Sequence, residues 1–104
     1  MTYKFISNIP NFSSVSNSVP WTQYDNNTII NFIDKNNIKH NASFLMIRSR
    51  YPLLVELIPS SYCVYIQSDE YWSVDSIGEI EGIKIKTVGS SGNKPNILWM
   101  AGYK

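Results

Sequence analysis

Residues 53–67 read LLVELIPSSYCVYIQ, and this stretch carries the clearest indication of the fold. Two apolar runs flank the turn-prone segment 59–61, which is the pattern of a β-hairpin. In the second run alternate residues share a face of the strand: one face carries Tyr62, Val64 and Ile66, and the other Cys63, Tyr65 and Gln67. The segment therefore predicts two antiparallel strands joined by a tight turn.

The residues around this hairpin extend the β pattern. Residues 44–47 are a continuous apolar run, residues 83–87 (IKIKT) alternate, and residues 96–101 (NILWMA) read as a final strand. The segment 89–95 (GSSGNKP) lacks the spacing of a phosphate-binding loop and reads as a turn between two antiparallel strands. We therefore predict a closing hairpin over residues 80–101, which with the hairpin at 53–67 supplies much of the core.

These patterns predict the fold class. At 104 residues the chain has the length of one domain with a single core. Several short strands separated by turns indicate a mainly β protein, either a small antiparallel β-sandwich or a jelly-roll-like domain of six to eight strands. The spacing of Ile29, Phe32 and Ile33 also allows one helix near residues 27–36, with Asp25 or Asn26 as its N-cap. The same isoleucines favour a strand, but we expect the helix.

The first 20 residues differ from the rest of the chain. Isolated apolar residues, Phe5, Ile9 and Phe12 among them, alternate with Ser, Asn and two prolines, so a long regular element is not expected. We predict an extended N-terminal arm over residues 1–20 and a single β-rich domain over residues 21–104. The arm would lie in a groove, either on its own domain or on a neighbouring subunit.

Composition argues against two classes of partner. The net charge is +1, from nine basic and eight acidic residues without a block of one sign, so we expect no nucleic-acid partner. The sequence has neither a charged-then-apolar leader nor an apolar run of membrane-spanning length, so we expect no membrane partner. Only 16% of residues are charged, and Asn takes their place. This composition fits a surface covered by a protein partner, and equally an AT-rich coding sequence.

Candidate chemistry is sparse. His40 is the only histidine and Cys63 the only cysteine, so a zinc site of the usual ligand types cannot be built, and we predict neither metal nor cofactor. We expect His40 in a solvated loop and Cys63 as a buried thiol. Asp69, Glu70 and Asp75, near Tyr71, form the only local cluster with acid–base potential. We expect these carboxylates to form a solvated rim, and we predict no catalytic residues.

Aromatic residues are the better candidates for a binding surface, since aromatic side chains often dominate interface energetics. Trp99 lies among apolar neighbours and is predicted to be in the core. Trp21 and Trp72 stand at the edges of predicted elements, where they would either contact a partner or pack within the domain. With Phe5, Ile9 and Phe12 of the arm, they are the predicted protein-interaction residues.

The last part of the chain supplies a resemblance. The segment IEGIKIKTVGSSGNKPNILWMAGY, residues 80–103, resembles the closing hairpin of small β-domains in virion proteins of tailed bacteriophages. In that pattern an Ile-rich strand enters a Gly-x-x-Gly turn, and an aromatic strand ends near Gly-Tyr. The match covers about a quarter of the chain, and residues 93–96 lengthen the turn.

This resemblance implies a function. It points to a non-enzymatic structural component of a bacteriophage particle, such as a capsid decoration, head–tail connector or tail component. Its partners would be other virion proteins or further copies of itself, and its location the virion, after assembly in the host cytoplasm. The alternative is a small phage- or plasmid-encoded inhibitor that binds a host enzyme or a toxin.

Overall fold

The fold is seen in a computed structural model that describes residues 4–8, 22–88 and 96–104, with backbone alone at residues 76–78. These residues contain ten strands: β1 (Lys4–Ser7), β2 (Thr22–Gln23), β3 (Ile29–Ile33), β4 (Lys39–His40), β5 (Ala42–Ser49), β6 (Leu53–Ile58), β7 (Cys63–Ile66), β8 (Tyr71–Ile80), β9 (Gly82–Thr87) and β10 (Asn96–Tyr103). No helix occurs among them. The prediction of a mainly β domain is confirmed, although ten strands exceed the six to eight expected.

The strands form two antiparallel sheets that pack as a small β-sandwich. Sheet 1 has the order β1-β10-β5-β8, and β2 pairs with β10 on the same side as β1. Sheet 2 has the order β4-β3-β9-β6-β7. The chain changes sheets six times, between β2 and β3, β4 and β5, β5 and β6, β7 and β8, β8 and β9, and β9 and β10, so both sheets are built from segments far apart in sequence.

Alternation along the strands places one apolar row of each strand between the sheets. The residues of this core include Ile30, Phe32, Leu45, Ile47, Leu53, Val55, Val64, Ile66, Ile83, Ile85, Ile97, Trp99 and Ala101. Trp99 lies in the core as predicted, with its ring centroid 5.6 Å from that of Phe32. Its indole N–H donates to the hydroxyl of Tyr24 at 2.9 Å, so the one polar atom of this buried ring is satisfied.

The predicted helix near residues 27–36 is wrong. Residues 29–33 form strand β3, in which Ile30 and Phe32 are buried while Ile29, Asn31 and Ile33 are exposed. A helix would have placed Ile29 and Ile33 together against the core, whereas period-two burial follows from pairing with β9, where Ile30 lies opposite Ile83. Tertiary pairing of β-branched residues therefore overrides the helical spacing.

The two predicted hairpins have different outcomes. The hairpin at residues 53–67 is confirmed, because β6 and β7 pair from Leu53–Ile66 to Glu56–Cys63. The closing hairpin at residues 80–101 is wrong, because β9 pairs with β3 and β6 in sheet 2 while β10 lies in sheet 1. The predicted turn at residues 89–95 lies outside the described residues. Each of the two strands has partners distant in sequence, which local spacing does not reveal.

The start of the chain belongs to the sandwich. β1 pairs with β10 over four residues, from Lys4–Tyr103 to Ser7–Met100. Asn8 continues this pairing with its side chain: its amide N–H donates to the carbonyl of Ile97 at 2.8 Å, and its amide oxygen accepts from the N–H of Trp99 at 3.0 Å. Of the predicted arm, residues 4–8 are thus part of sheet 1, and Ile9, Phe12 and Trp21 lie outside the described residues.

Candidate functional site

Among the predicted interaction residues, Phe5 and Trp72 are described, and they differ in exposure. The Phe5 side chain is 54% exposed on the outer face of sheet 1, where it lies in one row with Gly102 and Phe44. The two phenyl rings meet edge to face across the glycine, with centroids 6.1 Å apart. Trp72 is half-buried and packs against the core from β8. Phe5 is therefore the described member of this set with the greater surface for a partner.

The expectation of a buried Cys63 thiol is wrong. Cys63 is exposed at the start of β7, and its Sγ lies 3.8 Å from the carbonyl oxygen of Ser61. Val64 and Ile66 take the inward positions of this short strand, so period-two alternation turns Cys63 outward. An apolar sequence neighbourhood was the signal for burial, but strand alternation decided the outcome.

The expectation of a solvated His40 is also wrong. His40 lies in β4 with its side chain 24% exposed, and its Nε2 donates to Asp34 Oδ2 at 2.7 Å. Its ring stacks on that of Tyr103, with centroids 3.7 Å apart and planes inclined by 15°. Tyr103 is the last residue of β10, so this contact joins the edge of sheet 2 to sheet 1. Sequence reasoning missed the pair because the two residues are far apart along the chain.

Asp34 stabilises the turn between β3 and β4 and binds His40 in β4. Its Oδ1 accepts from the backbone N–H of Asn36 at 2.8 Å and of Ile38 at 3.0 Å, while its Oδ2 binds His40. Asn37 completes the turn with a left-handed φ of 66°, which Asn tolerates well. These hydrogen bonds, above all that from His40, lower the pKa of Asp34, so the carboxylate is the favoured form.

A groove of about 610 Å³ opens beside this pair. One side is strand β1, and the other is the end of β3 with the following turn, residues 33–36; His40 and Tyr103 also contribute. The groove therefore runs along the outer edge of β1, between the margins of the two sheets. Its lining residues include two lysines, Lys4 and Lys35, and two residues with exposed side chains, Phe5 and Ile33.

The chemistry of this groove centres on the Asp34–His40 pair. The His40 imidazole holds Asp34 and stacks on Tyr103, and the described part of the chain records no hydrogen bond from it to a hydroxyl or thiol. Within the same residues, no group of three His, Cys, Asp or Glu side chains could hold a metal ion. What the groove offers a ligand is a rim with two lysines, Lys4 and Lys35, beside the backbone of β1.

The acidic cluster near Tyr71 does not form a cleft. Asp69 lies in a turn, 3.8 Å from an Nη of Arg48, and Arg48 also donates to the Tyr71 hydroxyl at 3.2 Å and covers its ring at 4.8 Å. Asp69, Glu70 and Asp75 are exposed. Tyr71 and Asp75 are four residues apart on one strand, about 13 Å at the usual rise of a strand. The structure therefore spreads these groups along a surface.

The other notable surface is the outer edge of β8. This ten-residue strand closes sheet 1 and pairs only with β5 in the described part of the chain. Tyr71, Ser73 and Asp75 are exposed, and the register to β5 is regular from Arg48–Tyr71 to Phe44–Asp75 before a bulge. Between Tyr71 and Ile80 the sequence has neither Lys nor Pro, which commonly protect sheet edges.

Comparisons with known proteins add no family to this description. The described residues include no helix long and apolar enough to cross a membrane. The sequence matches no protein-family model and no curated protein, and no solved structure matches the chain.

Proposed function

We propose that this protein is a non-enzymatic structural component of an assembly, and that the assembly is a bacteriophage particle. The particle is suggested by the resemblance of residues 80–103, read from the sequence, although their two strands do not pair with each other. The observation that carries the binding role is the outer edge of β8, which pairs with no strand among the described residues. An edge of this length presents a row of backbone N–H and C=O groups to which a neighbour can add a strand.

Surface composition supports the same role. β8 carries two acidic residues, Asp75 and Glu79, but no lysine or proline to keep other strands away from its edge. Exposed aromatic side chains, including Tyr71 on β8 itself and Tyr62 and Tyr65 at β7, add apolar contact area. A partner that covers β8 would pair its backbone and remove Tyr71 from water.

The proposal is tested first by mass spectrometry of purified particles from cells that express the protein. Its presence at a fixed ratio to the known particle proteins is expected, and its absence from the particles would exclude the structural role. The alternative, an inhibitor of a host enzyme or toxin, is examined by capture from a lysate of uninfected host cells. One stoichiometric host partner would favour that alternative.

A matched pair of variants tests the edge. Ser73→Lys places a charge on the exposed side of β8, whereas Ser60→Lys makes the same change in the β6–β7 turn. If partners pair with β8, Ser73→Lys should weaken the affinity for the particle partner about tenfold, equivalent to about 1.4 kcal/mol. Ser60→Lys should leave that affinity unchanged. Equal capture by both variants would exclude β8 as the contact.

A further inference from the structure

We infer that the groove beside β1 binds a sugar phosphate, with Lys4 and Lys35 on the phosphate and His40 on a hydroxyl group of the sugar. The inference goes beyond the proposed function and does not depend on the edge of β8. Three features of the described residues carry it: a histidine ring held at the margin between the sheets, two lysines in the same groove, and the size of the groove.

The register of the two sheets brings Lys4 and His40 to the same margin of the sandwich. Lys4 lies directly opposite Tyr103, so their side chains share the inner face of sheet 1, on which Ile6 packs against the core. His40 lies opposite the buried Phe32, on the inner face of sheet 2. The stacking of His40 on Tyr103, with centroids 3.7 Å apart, therefore joins the two inner faces, and Lys4 lies next to that contact.

His40 has one ring nitrogen for a ligand. Its Nε2 donates to Asp34 Oδ2 at 2.7 Å, so in the neutral ring Nδ1 is a hydrogen-bond acceptor. Within the described ranges of the chain no hydrogen bond to Nδ1 occurs. Asp34 and Tyr103 hold the ring in place, so little conformational freedom is lost when a ligand hydroxyl donates to Nδ1.

The two lysines supply positive charge. Among the residues that the structure describes, neither Lys4 nor Lys35 forms an ion pair. Asp34 also lines the groove, but its oxygens already accept three hydrogen bonds, from His40 and from two backbone N–H groups of the turn. The lysines outweigh this one carboxylate, and a phosphate monoester, which carries nearly two negative charges at neutral pH, matches them. Lysine is a common phosphate ligand because its ammonium group is a compact point charge.

The size of the groove fits the same class of ligand. Its volume of about 610 Å³ lies in the range of small-molecule sites. Inorganic phosphate would leave most of this volume to water, and a neutral sugar would leave the lysines without a partner. A sugar phosphate offers its phosphate to the lysines and its hydroxyl groups to His40 and to the side-chain amide of Asn36, which also lines the groove.

Titration of the ¹⁵N-labelled full chain with glucose 6-phosphate and with ribose 5-phosphate, followed by NMR, tests the inference. The backbone signals of Lys4, Tyr103 and residues 33–40 should shift and saturate, whereas those of β7 should stay in place. Each sugar phosphate should bind about tenfold or more tightly than inorganic phosphate or glucose, because each of these lacks one part of the ligand.

Variants assign the contacts. Lys4→Ala combined with Lys35→Ala should weaken the affinity for both sugar phosphates about tenfold or more. Lys39→Ala is the matched control: it removes an exposed lysine next to His40 that does not line the groove, and it should leave the affinity unchanged. His40→Phe keeps an aromatic ring beside Tyr103 without Nδ1 and should also weaken binding. Circular dichroism checks that every variant keeps its β structure.

Three results would overturn the inference. The first is the absence of a saturable shift at the groove with both sugar phosphates. The second is an equal loss of affinity in the double lysine variant and in Lys39→Ala, which would indicate attraction to the overall charge. The third is equal affinity for inorganic phosphate and the sugar phosphates, which would leave His40 without a role. None of these results bears on the presence of the protein in purified particles, so the proposed function is tested separately.

Discussion

Gly82 pairs with Asn31 on one side and with Ile58 on the other, and a Cβ built on it would lie 2.8 Å from the backbone oxygen of Ile30. Backbone cannot move aside as a side chain can, so Gly82→Ala should push β3 away from β9. We expect a loss of about 1–3 kcal/mol in the free energy of unfolding, typical of overpacking. Denaturant titration monitored by fluorescence measures it.

The matched control for this change is Gly102→Ala. There the added methyl would meet Phe5 Cε1 at 3.0 Å and the Cβ of Phe44 at 3.1 Å, but the half-exposed Phe5 ring can turn away. The cost at Gly102 should be smaller than that at Gly82. The reverse order would contradict the role assigned to backbone crowding at Gly82.

Asp34 gives the chain a predictable response to acid. Its pKa is lowered in the folded state, chiefly by the hydrogen bond from His40, so the folded protein holds this proton less tightly than the unfolded chain does. The resulting stabilisation is fully present above the unfolded value of about 3.9 and is lost as the pH falls through the lower folded value. Asp34→Asn should therefore show a shallower loss of stability in acid than the wild type does.

The measurement is the free energy of unfolding as a function of pH, from neutral pH to below the pKa of Asp34, for the wild type and Asp34→Asn. His40→Leu serves as the second variant: because it removes the largest cause of the shift, it should flatten the wild-type curve in part. Parallel curves for wild type and Asp34→Asn would show that the carboxylate does not stabilise the turn.

At the scale of elements, β3 offers a test within two adjacent isoleucines. Ile30 is 7% exposed and packs between the sheets, whereas Ile29 is 54% exposed on the outer face. Ile30→Ala should cost about 2–5 kcal/mol, as truncation of a core side chain does. Ile29→Ala should cost about 0.5 kcal/mol or less, because it changes an exposed site. Comparable losses at the two sites would contradict period-two burial along β3.

The elements that sequence predicted correctly are those whose partner is adjacent in the chain. In the hairpin at 53–67 both strands and the turn between them lie within one stretch, so alternation and turn residues suffice. β9 and β10 look equally like a hairpin, but their partners are distant strands, and the core rather than the turn selects them. At β3 the spacing of the apolar residues fits both a helix and a strand, and pairing with β9 selects the strand.

The candidate site was harder to predict than the fold. The burial of Cys63 and the exposure of His40 were predicted from the polarity of their sequence neighbours. Alternation along β7 instead exposes Cys63, and the stacked ring of Tyr103 covers part of His40. The groove needs β1 beside β10 and the 33–36 turn beside β1, and both depend on how the sheets pack. Only Phe5 was both predicted from the sequence and placed at this groove.

At the scale of the whole molecule, the first described strand closes against the last. β1 pairs with β10 over four residues, Ile6 packs against the core, and the Asn8 side chain satisfies two backbone groups of β10. An arm that served only to reach a neighbour could be removed without loss of stability. The described contacts instead make residues 4–8 part of the sandwich.

Deleting residues 1–8 should therefore destabilise the domain. Lost strand pairing and the lost packing of Ile6 together should cost about 3 kcal/mol or more, from about 1 kcal/mol for each net hydrogen bond and about 1.5–3 kcal/mol for the Ile6 side chain. A melting temperature lower by about 10 °C or more is expected for a domain of this size. Asn8→Ala removes only the side-chain hydrogen bonds to the Ile97 carbonyl and the Trp99 N–H, so its melting temperature should fall less. An unchanged melting temperature after the deletion would mean that β1 contributes nothing to the fold, and the groove beside it would then lose its structural basis.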